Sequence, residues 1–349
     1  MEIYLSMAQG HCACRERRQS ALAPLKASFL SPSVSPAAAP PSPPSSRLAS
    51  GLTLAVLGAV AFSGKAIIVK LAYRHGVDAV TLLMLRMALA LPFFILMAWW
   101  AGRERNGLKP DALHWRDGLG IVWLGFTGYY LASFLDFAGL AYISASFERL
   151  ILYLNPTLVV LLGALLYRRR ISLYQWLGLG ISYGGVLLVF GHEAHLSGEG
   201  VWLGSALVFA SAVSYALYLS YSGELVRRLG ALRLVGWASA VACVLCIAQF
   251  LVLRPVAGLW DLAPQVWTLS VINASVCTVV PVVLVMMGIE RLGAGLAAQV
   301  GMVGPMSTLM MAAVFLDEPL TAWVLGGTVL VVAGVFVCTR SPVVVAPAA

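Results

Sequence analysis

The sequence has few charged residues for its length. Asp, Glu, Lys and Arg make up 11% of the 349 residues, and 60% of the residues are apolar. Soluble domains average about 25% charged residues, so a soluble fold of this composition would lack the polar side chains needed to cover its surface. A bilayer removes that need because lipid solvates the outside. The net charge of +8 falls in short clusters between apolar runs, which indicates membrane topology and argues against nucleic-acid binding.

Several motifs are also missing. No Gly-rich nucleotide-binding loop with Lys-Ser/Thr occurs, so ATP is not expected to drive the protein directly. The alternating ten-residue patterns of membrane β-barrels are absent. The six cysteines form no disulfide framework, and no complete set of metal ligands is evident, so no cofactor or metal is expected.

Ten apolar runs, each of roughly 20 residues, follow the N-terminal region. Backbone groups in lipid must be satisfied internally, so each run predicts a helix. Residues 1–49 are predicted to be a disordered cytoplasmic tail, because residues 31–46 are rich in Pro, Ser and Ala. We therefore expect an all-α integral membrane protein with ten transmembrane helices, over approximately residues 51–73, 79–100, 118–138, 143–167, 172–191, 201–223, 234–253, 266–288, 294–316 and 321–339.

The distribution of positive charge predicts the orientation. With the N-terminus inside, the inner segments hold most of the basic clusters, such as residues 168–170, whereas the outer loops hold only Arg74 and Arg254. Ten spans fit this bias throughout, and one span more or fewer would scramble it. We expect a multi-pass protein of the cell (inner) membrane with both termini in the cytoplasm.

The chain repeats itself at an offset of 149 residues. Three pairs match without a gap: Pro156 and Pro305, Gly178 and Gly327, and Gly185 and Gly334. Each copy holds five spans, an odd number, so the second copy enters the membrane from the opposite side. The sequence thus predicts two inverted five-helix repeats, residues 50–191 and 199–340, with a substrate site near the midplane between them.

The late part of each copy carries the same set of motifs. The first has Asn155-Pro156 and Gly184-Gly185; the second has Gly304-Pro305, the turn at residues 317–320 and Gly326-Gly327. In a ten-span frame over residues 50–340, these motifs resemble the EamA-type transporters of the drug/metabolite transporter superfamily. The resemblance implies transport of small metabolites, amino acids or drugs, without naming one. The expected partners are a small-molecule substrate and the lipid bilayer, not nucleic acid, and a homodimer is left open beside a monomer.

Five ionisable residues inside the spans are the leading site candidates, because such groups are costly in a membrane and usually face the bundle interior. They are Lys65, Arg86, Asp136, Glu148 and Arg149, all in the first repeat and in the outer half of the membrane. At the repeat offset, the second copy has uncharged residues in their place: Ser214, Val235, Val285, Ala297 and Ala298. The ungapped match is evident only near the repeat ends.

Three interpretations of these five residues stay open. They form ion pairs that hold the first four helices together, or some of them bind substrate or carry a coupling proton. In the third interpretation, Arg86 and Asp136 face lipid and reach the interface. Deeper candidates for a central cavity are Tyr130, Asn155, Tyr215, Asn273 and Gln299. Pro156 and Pro305 are predicted to be hinges, because proline is a natural bending point of a helix.

The predicted function is secondary transport by alternating access, coupled to protons. Glu148 or Asp136 would carry the proton, and Lys65 or Arg149 would hold a substrate carboxylate. One alternative is an integral membrane enzyme that modifies lipid, but the clustered histidines His192 and His195 have no evident catalytic partner. Another alternative is a passive channel, although nothing in the sequence resembles a selectivity filter.

Overall fold

The protein is described here by a computed structural model that covers residues 45–103, 113–167, 171–197, 200–292, 296, 300–301 and 303–340. Two predictions lie outside these residues: the tail up to residue 44 and the candidate Gln299. Residues 45–49, predicted as the end of the tail, begin the first helix.

Ten helices account for almost all of the described residues. In chain order they are α1 (Ser45–Tyr73), α2 (Ala79–Ala101), α3 (Trp115–Leu124, Gly125–Leu131 and Ala132–Leu140), α4 (Ala145–Leu152 and Asn155–Tyr167), α5 (Leu173–Ser197), α6 (Gly200–Leu229), α7 (Ala231–Leu253), α8 (Pro264–Ala274, Ser275–Val279 and Val280–Leu292), α9 (Val303–Leu316) and α10 (Ala322–Arg340). A short 3₁₀ turn, Val256–Leu259, follows α7.

These helices confirm the predicted all-α membrane fold. Within the described residues, nine are long and apolar enough to cross a membrane. The tenth, α9, is described only from Val303 and has 14 residues. Polar side chains fix where two helices begin: Asp78 accepts from the backbone N–H groups of Val80 and Thr81 at the start of α2, and Ser144 accepts from that of Phe147 at the start of α4.

The contacts between helices repeat when the two halves, α1–α5 and α6–α10, are exchanged. The pairs α2–α7 and α5–α10 map onto themselves. The contact of α1 with α8 maps onto that of α6 with α3, and the contact of α1 with α9 maps onto that of α6 with α4. The fold therefore consists of two interlocked, inverted five-helix repeats, in which α1 and α6 each pack against two helices of the other half.

Glycines at repeated positions let α5 and α10 cross closely. A Cβ atom added to Gly178 would lie 2.7 Å from the carbonyl oxygen of Gly334, and one added to Gly185 would lie 2.8 Å from that of Gly327. The 149-residue offset converts one of these contacts into the other. The glycine register seen in the sequence thus reflects close helix packing that only small residues permit.

The same offset holds deeper in the fold. A Cβ atom added to Gly139 of α3 would lie 2.8 Å from the carbonyl oxygen of Gly204 in α6. The counterpart of Gly139 is Gly288 of α8, which packs against Ala55 of α1. A Cβ atom added to Gly288 would lie 3.2 Å from the Cβ atom of Ala55. The ungapped register therefore extends to α1 and α6 and to α3 and α8.

Two helices contain π-helical segments at matching places, Gly125–Leu131 in α3 and Ser275–Val279 in α8. A π turn interrupts the regular hydrogen-bond ladder, so nearby carbonyl groups need other donors. Side-chain hydroxyl groups supply them: Ser211 to Ala132 at 2.7 Å, Ser214 to Thr127 at 2.8 Å, and Thr278 to Asn273 at 2.7 Å. Hydropathy alone gave no sign of these segments.

Helix α4 crosses the membrane as one span, as predicted, but it is not regular throughout. The chain turns at Tyr153 and Leu154, and a second helix begins at Asn155. Pro156 is the second residue of that helix, and Pro305 is the third residue of α9. Both prolines therefore lie in a first turn, where a missing N–H costs no helical hydrogen bond.

Candidate functional site

Lys65 joins two buried carboxylates. Its Nζ atom lies 2.5 Å from Oδ2 of Asp136 and 3.4 Å from Oε1 of Glu148. The exposed fractions of Lys65, Asp136 and Glu148 are 7%, 3% and 0%. No well-aligned donor among the described residues bonds either oxygen of Glu148. Two carboxyl groups thus share one ammonium group away from water.

Arg149, next to Glu148 in α4, is held by the backbone of α1 and by the other half of the protein. Its Nε donates to Oγ1 of Thr308 in α9 at 3.0 Å. Its Nη2 contacts the carbonyl oxygens of Phe62 and Ser63 in α1 at 3.3 and 3.4 Å. Buried at 8% exposure, Arg149 therefore links the first part of α4 to both α1 and α9.

Arg86 of α2 reaches toward α8. Its Nε donates to Oγ1 of Thr278 at 2.9 Å, and Thr278 in turn donates to the carbonyl oxygen of Asn273. The guanidinium carbon lies 5.3 Å from the centre of the Phe137 ring. Its Nη1 atom is buried and has no hydrogen-bond partner among the described residues.

The five charged candidates form one cluster. Asp136 acts electrostatically on both Arg86 and Glu148, and Cys277 of α8 lies among the three cationic groups of Arg86, Lys65 and Arg149. The third interpretation, that Arg86 and Asp136 face lipid, is wrong, because both are buried inside the bundle, at 6% and 3% exposure. The cluster lies where α1 to α4 of the first half meet α8 and α9 of the second.

The other predicted residues lie apart from one another. Asn273 is fully buried beside the Arg86 contact, and both polar atoms of its side chain lack a partner among the described residues. Asn155 begins the second part of α4, and its buried Oδ1 also lacks one. Tyr215 stacks on Tyr218 with ring centres 5.5 Å apart. Tyr130 lines a groove between α3 and α7, together with Gln249 and apolar residues.

An apolar cavity of about 450 Å³ does not contain the charged cluster. It lies between the second part of α4 and α6, and its lining is Leu158, Leu161, Leu162, Ala164, Leu165 and Val213. Such a lining offers no group that could orient a polar ligand. The charged cluster, not this cavity, is therefore the candidate functional site.

One contact between the two halves was missed by sequence reasoning. Glu318, in the turn after α9, caps the start of α4: its carboxylate accepts from the backbone N–H groups of Ala145 and Ser146 at 2.7 and 3.1 Å, and from Oγ of Ser146 at 2.7 Å. The preceding Asp317 has a positive φ of 60°, which turns the chain toward α4. The acidic turn at residues 317–318 was the available signal, but sequence could not identify its partner.

Further contacts join the two halves at the same end of the bundle, which we call the Arg74 face and define by residues 74–78, 141–146 and 317–321. Arg74 donates to the carbonyl oxygen of Leu316 at 2.9 Å. Arg254, after α7, contacts Asp78 at 3.3 Å. Partial burial alone raises the pKa of Asp78, but hydrogen bonds from Thr81 and the Arg254 guanidinium outweigh burial and leave that pKa below its ordinary value.

At the opposite end, Arg228 of α6 pairs with Asp117 at the start of α3. Asp117 is buried at 3% exposure and also accepts from the backbone N–H of His114 at 2.8 Å, so it caps its own helix. Both ends of the bundle therefore hold polar contacts between the two halves.

The sequence profile of the EamA-like transporter family matches residues 49–191 and, separately, residues 202–340. The chain belongs to the EamA-like transporter family. With its apolar helices, it is a multi-pass membrane transporter, and the predicted family is confirmed.

Relatives and a solved structure agree with this assignment. Uncharacterized transporter YcbK of Bacillus subtilis is 31% identical over 278 residues, which cover 78% of this chain and 87% of the relative. Uncharacterized transporter sll1319 of Synechocystis is 25% identical over 307 residues, 80% of this chain and 90% of the relative. A crystal structure of a protein with 19% identity matches with a TM-score of 0.56, over 84% of this chain and 97% of its own, and shows the fold alone.

Proposed function

We propose that this EamA-like transporter is a secondary transporter that moves a small molecule by alternating access and couples that movement to protons. The observation that carries the proposal is the pair of buried carboxyl groups, Asp136 and Glu148, on one ammonium group of Lys65. Ionisable groups inside a membrane are expensive and mark proton or substrate pathways.

A single proton changes the charge of this cluster substantially. With both carboxylates ionised, three cations face two anions; protonation of Glu148 leaves a second uncompensated positive charge. In a low-dielectric interior such a change is worth far more than in water. Glu148 suits the role of proton carrier, because it is fully buried beside a second carboxyl group, and no well-aligned donor bonds its oxygens; the charge of Lys65 is the main interaction that protonation would weaken.

Contacts between the halves suit a gate. Opening the Arg74 face would require α4 to lose its Glu318 cap and Arg74 to release the carbonyl of Leu316. The charged cluster lies between this face and the midplane, on helices from both halves. We infer that the cluster senses the proton and the face opens or closes in response, with Pro156 and Pro305 as hinges at the starts of their helices.

The positive charges support an orientation in the cell (inner) membrane with both termini cytoplasmic. In this orientation the Arg74 face is external, and Arg227 and Arg228 at the end of α6 are internal. Fusion of a reporter active only in the cytoplasm to the C-terminus tests this part separately.

A role as a lipid-modifying enzyme has no comparable support. His192 stacks on Trp323 with ring centres 6.0 Å apart, and Glu193 accepts from Oγ of Ser144 at 2.5 Å. These contacts join α5 to α10 and to the start of α4, which is a structural use of the residues.

A screen followed by reconstitution tests the proposal. Cells that over-express the protein are compared with cells that express Glu148→Ala in a metabolite and drug-sensitivity screen. Each compound that separates them is then offered to proteoliposomes with an imposed pH gradient. We expect the gradient to drive its accumulation; accumulation that ignores the gradient would overturn the proton-coupled mechanism, while single-channel currents would indicate a channel instead.

A further inference from the structure

The three buried cations differ in how many hydrogen-bond and ion-pair partners the protein gives them. Lys65 faces two carboxylates, and Arg149 bonds a hydroxyl group and two carbonyl oxygens. Arg86 makes one side-chain hydrogen bond, through Nε, and its buried Nη1 has no partner among the described residues. No carboxylate within the described part of the chain lies within ion-pair distance of Arg86.

A second unpartnered polar group lies on the same contact. Thr278 accepts from Arg86 and donates to the backbone of Asn273, whose side-chain Oδ1 and Nδ2 are both buried and lack partners among the described residues. One helical turn earlier on α8, the buried hydroxyl of Ser270 lacks an acceptor as well. Buried polar groups are normally hydrogen-bonded, so three such residues on one helix pair without partners among the described residues leave polar atoms available to bind a ligand.

The surroundings suggest the chemistry of that ligand. The guanidinium N–H of Arg86 and the primary amide of Asn273, on helices joined through Thr278, offer donors to a carboxylate, and the amide oxygen can accept from an amine or hydroxyl group. Apart from the Asp136 carboxyl group, the groups near Arg86 are apolar and polarisable: the Phe137 ring at 5.3 Å and the thiols of Cys243, Cys246 and Cys277. A small organic acid with an apolar body fits these groups.

We propose that Arg86 and Asn273 form the recognition site for the carboxylate of a small organic acid, and that Arg86, not Lys65 or Arg149, binds the substrate anion. This inference rests on the proposed function and names the substrate class. An anion on Arg86 would lie near the carboxyl pair, because the Arg86 guanidinium packs on the ring of Phe137, the residue after Asp136, and its negative charge would favour protonation of that pair. Substrate and proton would thus be sensed by adjacent groups.

The test uses the full-length purified protein in lipid nanodiscs and measures its melting temperature. The probes are acetate, lactate, isovalerate and leucine, each compared with its primary amide. We expect at least one acid, and not its amide, to raise the melting temperature. Arg86→Lys should weaken the apparent affinity for that acid by roughly tenfold, because lysine keeps the charge but loses the planar fork.

Asn273→Leu separates binding from folding. The Asn273 side chain has no hydrogen bond to lose, so this nearly isosteric change should leave the melting temperature of the free protein unchanged or raised, while the shift caused by the acid disappears. Ser239→Ala, which removes another buried hydroxyl without a partner among the described residues, is the matched control and should keep that shift. A fall in the melting temperature of free Asn273→Leu would indicate a structural role and contradict the proposal.

The remaining outcomes are also decisive. Stabilisation by none of the acids, or equal stabilisation of wild type and Arg86→Lys, would overturn the carboxylate site. If an acid binds through Arg86 but a pH gradient does not drive its uptake into proteoliposomes, the site stands and the proton-coupled function fails. If a gradient drives uptake of neutral compounds only, the function stands and the site fails.

Discussion

The two halves of the protein share a scaffold but not a chemistry. Close packing follows the 149-residue offset: the contact of Gly178 with Gly334 and that of Gly185 with Gly327 are equivalent positions in the two repeats. The charged cluster does not obey it. Lys65 corresponds to Ser214, which bonds the carbonyl oxygen of Thr127, and Asp136 corresponds to the apolar Val285.

The second half contributes to the site with neutral groups. Thr308 and Thr278 accept from the two arginines, and the carbonyl oxygens of Gly301 and Gly304 accept from Tyr153 and Ser63 at 2.9 and 2.8 Å. In the proposed mechanism, symmetric packing lets the two halves exchange conformations, whereas the groups that bind proton and substrate need be present only once. The difference between the halves therefore separates the repeated glycine contacts, which stabilise the fold, from the charged cluster, which is the candidate functional site.

The largest effect should follow from removing Lys65. Lys65→Met leaves two buried carboxyl groups without their cation, and breaking such an arrangement costs about 3–5 kcal/mol. We expect a large loss of thermal stability, measured by melting in detergent, and partial recovery when Asp136→Asn is added. The matched change in the second half, Ser214→Ala, should cost only about 1 kcal/mol. Equal losses in the two halves would contradict the asymmetry.

The glycines should behave in the opposite way, with equal effects in both halves. Gly185→Leu and Gly334→Leu force a side chain into a backbone contact between α5 and α10, and overpacking typically costs about 1–3 kcal/mol. Gly184→Leu is the control, because a Cβ atom there meets nothing within 4 Å. Melting of the three variants checks this; a large loss for one repeat glycine alone would break the symmetry of the scaffold.

A smaller effect is expected at the Arg74 face. Glu318→Gln weakens the cap of α4, at a cost of about 1 kcal/mol, and should open this face more often. Opening is measured in a protein without other cysteines, by the rate at which a thiol reagent alkylates the cysteine of Ile143→Cys. Ile143 is buried beside α4, so this cysteine reacts only when the face opens. We expect several-fold faster labelling than with Asp317→Asn, which keeps the cap and tolerates the positive φ. An unchanged labelling rate would show that Glu318 does not hold this face closed.

The sequence was sufficient for features that depend on composition and spacing. Apolar length and basic clusters predicted the ten spans, and the spacing of Gly178, Gly185 and Pro156 with their counterparts predicted the repeat. The scarcity of charge identified the residues of the cluster, because a membrane tolerates few buried ionisable side chains and those few usually lie close to one another inside the bundle. Only Gln299 among the predicted residues lies outside the described part of the chain.

Other features depend on three-dimensional contacts that local sequence does not encode. The turn at Tyr153 and Leu154 lies inside an apolar run, and the π-helical segments lie inside apolar runs that hydropathy does not distinguish from a regular helix. The cap from Glu318 to α4 joins residues more than 170 positions apart, with separations of 173 and 172. The unpartnered amide of Asn273 could be recognised only once its neighbours were known.

The most direct test of the central claim compares two transport modes of Glu148→Gln, which mimics the protonated carboxyl group. Wild type and variant are reconstituted with the substrate found in the screen. Exchange of labelled for unlabelled substrate needs no net proton movement, whereas accumulation against a gradient does. The proposed role of Glu148 predicts that the variant keeps exchange and loses pH-driven accumulation. A variant that still accumulates substrate in response to a pH gradient would contradict it.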